Sequence, residues 1–298
     1  MVRVIFFSVL VIVARVGAAL EPAHAARVAP SGTPVPSATP AAVGAATPAA
    51  LLRQYAGSRP GDVDVAVYDA VSGVESGYRD PVDDGFVMAS SVKLSILLVR
   101  LAESGNTGYL SPDDTALARK MIGVSDNDAA SDLWAEDGGA AAMDGYFHAW
   151  GMTSTVAGTG GYWGLTTTTA RDQLRILRLV AYPNPTMSPG SRRTTVELLD
   201  RVDPDQRWGL TAGVPDDVDV ELKDGWLPRA SGWVTTSLGH VHGGGRDYVI
   251  AVLTRDGATE AANIATVSGL STIAWKAATV RCSSCRAPAL RHELVEAG

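Results

Sequence analysis

The stretch Val87 to Leu101, "VMASSVKLSILLVRL", sets two serines and a lysine at the entrance of a strongly apolar helix. Packing alone asks for neither a hydroxyl pair nor an ammonium group at that place. Lys93 follows Ser90 by three positions, about one turn along the same helix face and within reach of the Ser90 hydroxyl. A serine beside a base is an activated nucleophile. The competing reading of Lys93 is a snorkelling side chain whose stem covers apolar surface. The chain holds only four lysines (Lys93, Lys120, Lys223 and Lys276) beside 21 arginines, so arginine serves wherever a generic positive charge will do. Arginine stays protonated in a protein, whereas a partly buried lysine can have its pKa lowered enough to act as a base.

Outward from this helix the pattern alternates between β and α periodicity. "ALLRQYAGS" reads as a short helix, and "DVDVAVYDA" and "VESGYRD" read as a hairpin joined by Val71-Ser72-Gly73. The centre is helical: "SSVKLSILLVRLAES", "SPDDTALARKMIG" with Ser111 as N-cap, "DAASDLWAE", "AAMDGYFHAWG" and "TTARDQLRILRLVAY". Three β runs follow, "DVDVELKDG", "WVTTSLGHVH" and "RDYVIAVLTRD", the last two joined across Gly243-Gly244-Gly245. "TEAANIATVSGLSTIAWKAA" closes the domain as a helix. This order predicts an α+β fold: one antiparallel five-stranded sheet flanked by helices, its halves separated in sequence by an inserted all-helical lobe.

Two further polar groups interrupt apolar surroundings. Ser125-Asp126-Asn127 sits between two apolar helices, where an ordinary N-cap is the simple reading. Lys223-Asp224-Gly225-Trp226 ends a β run, where the simple reading is a solvated lysine before a turn glycine. In order, Ser-x-x-Lys on a helix, Ser-Asp-Asn between helices and Lys-x-Gly on a late strand form one constellation. The chain resembles the penicillin-recognising serine hydrolases, and among them the class A β-lactamases, over roughly residues 49 to 278.

The resemblance implies that Ser90 attacks an amide carbonyl with Lys93 as its proton partner, and that Ser125 relays a proton to the leaving nitrogen. It implies that Asn127 binds the acyl side-chain amide and that Lys223 holds a positive field beside Ser125. The backbone N–H groups of Ser90 and Trp226 would form an oxyanion hole, worth about 3 kcal/mol per donor in acyl-transfer enzymes. Gly225 would be small so that its strand can approach the nucleophile. Three departures accompany the likeness. Ser90 to Ser125 spans only 35 positions, so the helical lobe is trimmed. Asp224 stands at the substrate-binding position where the family carries Thr or Ser, beside Lys223, Gly225 and Trp226, and its carboxylate would repel a substrate carboxylate unless an arginine such as Arg229 or Arg246 compensates. The loop "GMTSTVAGTGGYWGLTTTTA", residues 151–170, contains no Asp or Glu, whereas class A enzymes draw their deacylating glutamate from that region. Asp172 and then Asp144 are the nearest acidic substitutes.

The implied function is an exported serine hydrolase acylated on Ser90 by a β-lactam or related amide or ester, with slow deacylation. Two alternatives are a D-alanyl-D-alanine carboxypeptidase-like enzyme acting on a cell-wall peptide, and a non-catalytic binding module on the same fold. The intact Ser90, Lys93, Ser125, Asn127 and Lys223 set argues against the last.

The 298-residue chain is 46% hydrophobic, ample for a sizeable core. Its formal charge of −7, without a cluster of basic residues, leaves nothing to attract a phosphate backbone, so no nucleic-acid partner is expected. The start reads as a signal peptide over residues 1–25: Arg3, the apolar run Val4 to Val13, then Ala23-His24-Ala25. Arg15 cuts that run short of the roughly 20 residues a membrane span needs. Residues 26–48 form an Ala/Pro-rich linker without an aromatic, the hydrolase domain is expected over 49–280, and 281–298 form a tail. Export makes a local Cys282–Cys285 disulfide the expected state. A secreted or cell-envelope monomer without cofactor is expected. His240 and His242 share a strand face, but no third ligand is apparent in the sequence, so no metal site is expected. Trp163, Trp208, Trp226 and Trp233 are candidates for a groove, although tryptophans more often pack a core or its edge.

Overall fold

The computed structural model describes residues 46–82 and 85–281. The expected signal segment, most of the linker, and Cys282 and Cys285 with the rest of the tail lie outside these residues. Thr47 caps the first helix, α1 (Pro48–Ala56), by accepting the Ala50 N–H, so helical structure begins at Pro48. The hairpin β1 (Asp62–Asp69) and β2 (Val74–Arg79) follows, then the two-residue strand β3 (Phe86–Val87) and a 3-10 turn, Ala89–Ser91. That turn runs directly into α2 (Val92–Glu103), the fold's central helix. Nine of its twelve residues are buried, Lys93 and Ser95 among them, and burial all round marks a helix enclosed by protein.

The helical lobe continues with α3 (Pro112–Gly123), α4 (Asn127–Glu136), α5 (Gly139–Ala149), the short strand β4 (Thr167–Thr168), α6 (Ala170–Ala181) and α7 (Pro189–Leu199). Ser111 caps α3 as expected, accepting the Asp114 N–H at 3.0 Å. Helix α7 was not foreseen. Its sequence "PGSRRTTVELL" is polar, and what starts it is the Ser188 cap with Pro189 at the first turn.

Strands β5 (Asp219–Arg229), β6 (Gly232–Gly243) and β7 (Arg246–Gly257) complete an antiparallel sheet of order β2-β1-β7-β6-β5, and α8 (Glu260–Ala277) closes the chain. The α+β fold and the five-stranded antiparallel sheet are therefore as expected. The β6–β7 turn runs through Gly243, Gly244 and Gly245, all at positive φ. Helices α1 and α8 pack together, and α8 covers β6 and β7; α6 also packs on β1, β6 and β7, and α7 meets β5. Strand β5 runs beyond the sequence expectation, so Lys223 and Gly225 stand in mid-strand rather than at its end. No helix among the described residues is long and apolar enough to cross a membrane.

Candidate active site

Three segments converge at the start of α2. The first is the turn that carries Ser90. The Met88 carbonyl accepts from Ser91 N, from Ser91 Oγ at 2.8 Å and from Thr236 Oγ1 of β6 at 2.8 Å, while Met88 N donates to the Thr166 carbonyl. Ala89 between them is held at φ +49°, a left-handed conformation that costs an L-residue energy. Ser90 emerges from this braced turn half-buried, whereas Ser91 beside it is fully enclosed.

The second segment joins α3 to α4. Asp126 caps α4 through the Ala129 N–H, and Ser125 before it is held at φ +57°. That backbone turn aims the Ser125 carbonyl and hydroxyl and the Asn127 side chain at Lys93. Lys93 Nζ donates to Ser125 O at 2.6 Å, Ser125 Oγ at 3.1 Å and Asn127 Oδ1 at 2.7 Å. All three donors of a protonated ammonium are thereby used, and none goes to Ser90. The Ser90–Lys93 hydrogen bond expected from helical spacing is not formed. Lys93 has no solvent-exposed surface. Burial, and after it the charge of Lys223, lowers its pKa to about 7 against the opposing pull of Asp126.

The third segment is β5. Lys223 Nζ, also wholly buried, donates to Ser125 Oγ at 3.2 Å and to the Asp224 carbonyl at 2.9 Å, and burial lowers its pKa too. Two ammonium groups thus flank one serine hydroxyl. Gly225 brings the strand against the turn that carries Ser90. A Cβ there would lie 2.7 Å from Ser90 N, 2.6 Å from Ser91 N and 2.8 Å from Thr236 Oγ1. Only hydrogen fits at that position.

Asp224 is not brought to this cluster. Strand alternation puts it on the opposite face from Lys223. It is fully buried, accepting from Trp208 N at 3.0 Å and from the Ser237 hydroxyl. Burial raises its pKa, opposed by those hydrogen bonds and by Lys223 and Arg207. Arg207, rather than Arg229 or Arg246, is the arginine whose charge acts on it; Arg246 stacks on Trp275 and donates to the Trp275 carbonyl. Trp226 meets Trp208 edge-on, 6.1 Å between ring centroids.

A family model described as the beta-lactamase enzyme family matches residues 103–278. The chain belongs to the β-lactamase enzyme family. The matched span begins after Ser90 and Lys93, so the case for those two residues rests on the geometry above. A Mycobacterium tuberculosis protein named as lipoprotein LppW is 26% identical over 215 residues, covering 69% of this chain and 67% of that one. Among solved structures, a class A beta-lactamase from Mycobacterium abscessus superposes with a TM-score of 0.64 at 21% identity, over 78% of this chain and 99% of that one. PBP-A gives 0.64 at 21% identity, over 76% and 93%. At such identities the likeness speaks for the fold, which is that of class A β-lactamases.

The loop 151–170 has its own architecture within this family fold. Asp172 and Asp144, the acidic substitutes suggested by sequence, both brace it. Asp172 Oδ2 accepts from Ser154 N at 2.8 Å and from Thr155 Oγ1 at 2.9 Å, and Asp144 Oδ1 accepts from Ala157 N at 2.7 Å. What the loop presents to the site is Trp163. Its ring lies over Lys93 Nζ at 4.8 Å from the centroid, and its Nε1 donates to Ser131 Oγ at 3.1 Å. Sequence alone gave Trp163 no distinction from the other tryptophans. The signal was its position in the loop that lacks a carboxylate. Strand pairing sets Glu221 opposite His240, so a third metal-ligating type of side chain stands beside the two histidines, a neighbour that the sequence pattern did not disclose.

Proposed function

We propose that this protein is a serine hydrolase acylated on Ser90 by a β-lactam or related amide or ester, and that its acyl-enzyme is released slowly. The observation that carries this reading is Lys93: wholly buried, lowered to about 7, and wired to Ser125 and Asn127 one helical turn from Ser90. A buried ammonium kept only for packing has no need of Lys223 on the far side of the same hydroxyl. Loss of one proton leaves Lys93 with two N–H bonds and a lone pair. Neutral Lys93 then takes the Ser90 proton as Oγ attacks the carbonyl carbon. The oxyanion that forms is held by the Ser90 and Trp226 N–H groups, with Gly225 allowing the strand to close on them. Lys93 returns the proton through Ser125 Oγ to the leaving nitrogen, the C–N bond breaks, and Lys223 stabilises Ser125 while its proton is in transit.

Slow release is supported by the loop. Residues 151–170 contain no carboxylate, Asp144 and Asp172 are engaged in bracing, and an aromatic face lies over Lys93. Water attacking the ester therefore lacks a dedicated general base. The same feature favours a second reading, in which the acyl donor is a cell-wall peptide ending in D-alanine. We place the protein in the cell envelope on the signal-like start and on the name of its mycobacterial relative.

The test is intact mass spectrometry after incubation with a reporter penicillin. One adduct per chain is expected on wild type and none on Ser90→Ala. Equal labelling of both would remove Ser90 as nucleophile, and labelling of neither, with penicillins and D-alanyl esters alike, would return the fold to a binding role.

A further inference from the structure

A second polar cluster lies on the sheet, and the Ser90 chemistry does not use it. Glu221 of β5 faces His240 of β6, and His242 follows on the same face two positions later. One carboxylate oxygen of Glu221 and one ring nitrogen from each histidine all lie within 4.8 Å of one another. His242 Nε2 is 2.7 Å from Glu221 Oε1, and His240 Nδ1 is 3.1 Å from Glu221 Oε2. Glu221 is 3% exposed, yet its Oε2 has no hydrogen-bond partner among the described residues, because the nearby His240 nitrogen is not aligned for one.

We propose that Glu221, His240 and His242 form a binding site for a divalent transition-metal ion of the zinc class, with water in the fourth position. Two imidazoles and one carboxylate suit zinc and its neighbours rather than calcium or magnesium, which prefer oxygen throughout. Bonds of about 2.0–2.1 Å in a tetrahedron hold ligand atoms about 3.3 Å apart, so the ligand atoms, 2.7 and 3.1 Å apart where each histidine meets Glu221 and within 4.8 Å overall, would shift by up to about 1.5 Å to admit an ion. Glu221 Oε2, which has only the 3.1 Å approach of His240 Nδ1, would gain a bond of good geometry.

The outer groups match what a metal-bound histidine needs. His240 Nε2 is 3.0 Å from Asp247 Oδ1, and Asp247 in turn accepts from Tyr182 OH at 2.9 Å. His242 Nδ1 stands 3.8 Å from Asp219 Oδ2. His240 therefore turns one nitrogen to Glu221 and the other to the Asp247 carboxylate, an arrangement that fixes its tautomer and strengthens the ligating nitrogen, while the Asp219 carboxylate stands too far from His242 to hydrogen-bond it. Tyr182, which follows the last residue of α6, sets its ring edge-on to His240 at 5.6 Å. The competing arrangement is a pure ion-pair network with both histidines protonated. Their rings stack at 4.5 Å and 26°; in that network the carboxylates of Glu221, Asp247 and Asp219 offset the repulsion between the two cations, whereas neutral rings sharing an ion meet no such repulsion, and the two arrangements are told apart by whether the site takes up metal.

The test uses the full chain with Cys282 and Cys285 both changed to serine, so that thiolates do not contribute. Protein stripped with a chelator is given zinc alone at pH 7.5, and binding is read by competition with a chromophoric chelator and by metal analysis. One zinc per chain is expected, with affinity lowered at least about 100-fold in His242→Asn and about 10–100-fold in Asp247→Asn, and unchanged in Ser90→Ala. Absence of zinc binding, or binding undiminished in His242→Asn, would overturn the site. Should a variant fail to fold, cobalt added to the cysteine-free parent decides: the visible absorption of a tetrahedral nitrogen–oxygen site supports the proposal, and a spectrum of hexaaquo cobalt refutes it.

Discussion

Substituting Gly225→Ala tests the geometry of the site with a single methyl group. The added Cβ would meet Ser91 N at 2.6 Å and Ser90 N at 2.7 Å, both backbone atoms that cannot rotate aside, and Thr236 Oγ1 at 2.8 Å. Strand β5 must retreat by about 0.4 Å to reach 3.0 Å, the shortest contact a Cβ tolerates, and by about 0.8 Å for ordinary van der Waals contact. The retreat carries the Trp226 N–H away from the Ser90 N–H. In the proposed oxyanion hole the two donors would then no longer converge on one oxygen. Loss of one oxyanion donor typically lowers rate by 10²–10³-fold, so acylation should fall by about 10²-fold, or about 2.7 kcal/mol of barrier. Stopped-flow acylation by a fluorescent penicillin gives the rate, and a thermal scan on the same sample shows whether the fold is retained. Acylation within about threefold of wild type would refute the oxyanion-hole reading, since the methyl group would then have been absorbed without moving the donors.

Lys93→Arg should lose acylation nearly as completely as Lys93→Ala, because a guanidinium keeps its proton; rapid adduct formation by the arginine variant would rule out a base role. Since Lys93 must be neutral to accept a proton and its pKa is lowered to about 7, the acylation rate should rise with pH up to about 7 and level off above it. A rate flat from pH 5 to 9 would contradict that assignment. With no general base in the loop, hydrolysis of a chromogenic cephalosporin should show a burst equal to the enzyme concentration, then a steady rate at least about 10²-fold slower; fast turnover without a burst would mean that another group activates water. Asp172→Ala removes the acceptor for Ser154 N and Thr155 Oγ1, a loss of about 3 kcal/mol that should lower Tm by about 6–12 °C. A melting point within about 2 °C of wild type would show that the loop is held by other contacts.

What could be read from the chain alone follows the range of the forces involved. Helix α2 and the β6–β7 turn declare themselves locally, through an apolar run and three consecutive glycines. The spacing of Ser90 and Lys93 placed them on one helix face, but the partners Lys93 actually takes, Ser125 and Asn127, come from a backbone turn that local pattern does not encode. Helix α7 escaped because its place is set by packing on α2, α3 and α6 and by its cap rather than by a visible apolar stripe. The Asp224 carboxylate found its partners through tertiary approach, from Trp208 and Ser237, so counting arginines downstream pointed at the wrong ones. Glu221 became the companion of two histidines only through the register of β5 against β6.

The two lysines around Ser125 carry a consequence for how the protein should be handled. With Nζ atoms 3.1 and 3.2 Å from one oxygen and no solvent around either stem, the fold holds like charges in a confined space whenever Lys93 is protonated, below about pH 7. That is a built-in tension between stability and function. Any molecule bearing an anionic group that settles near Ser125 relieves it, whether or not Ser90 ever reacts. Thermal-shift screening of small carboxylates is therefore a route to ligands that needs no knowledge of the acyl donor, and inert anions in the buffer will act as competitors in every kinetic measurement on this site.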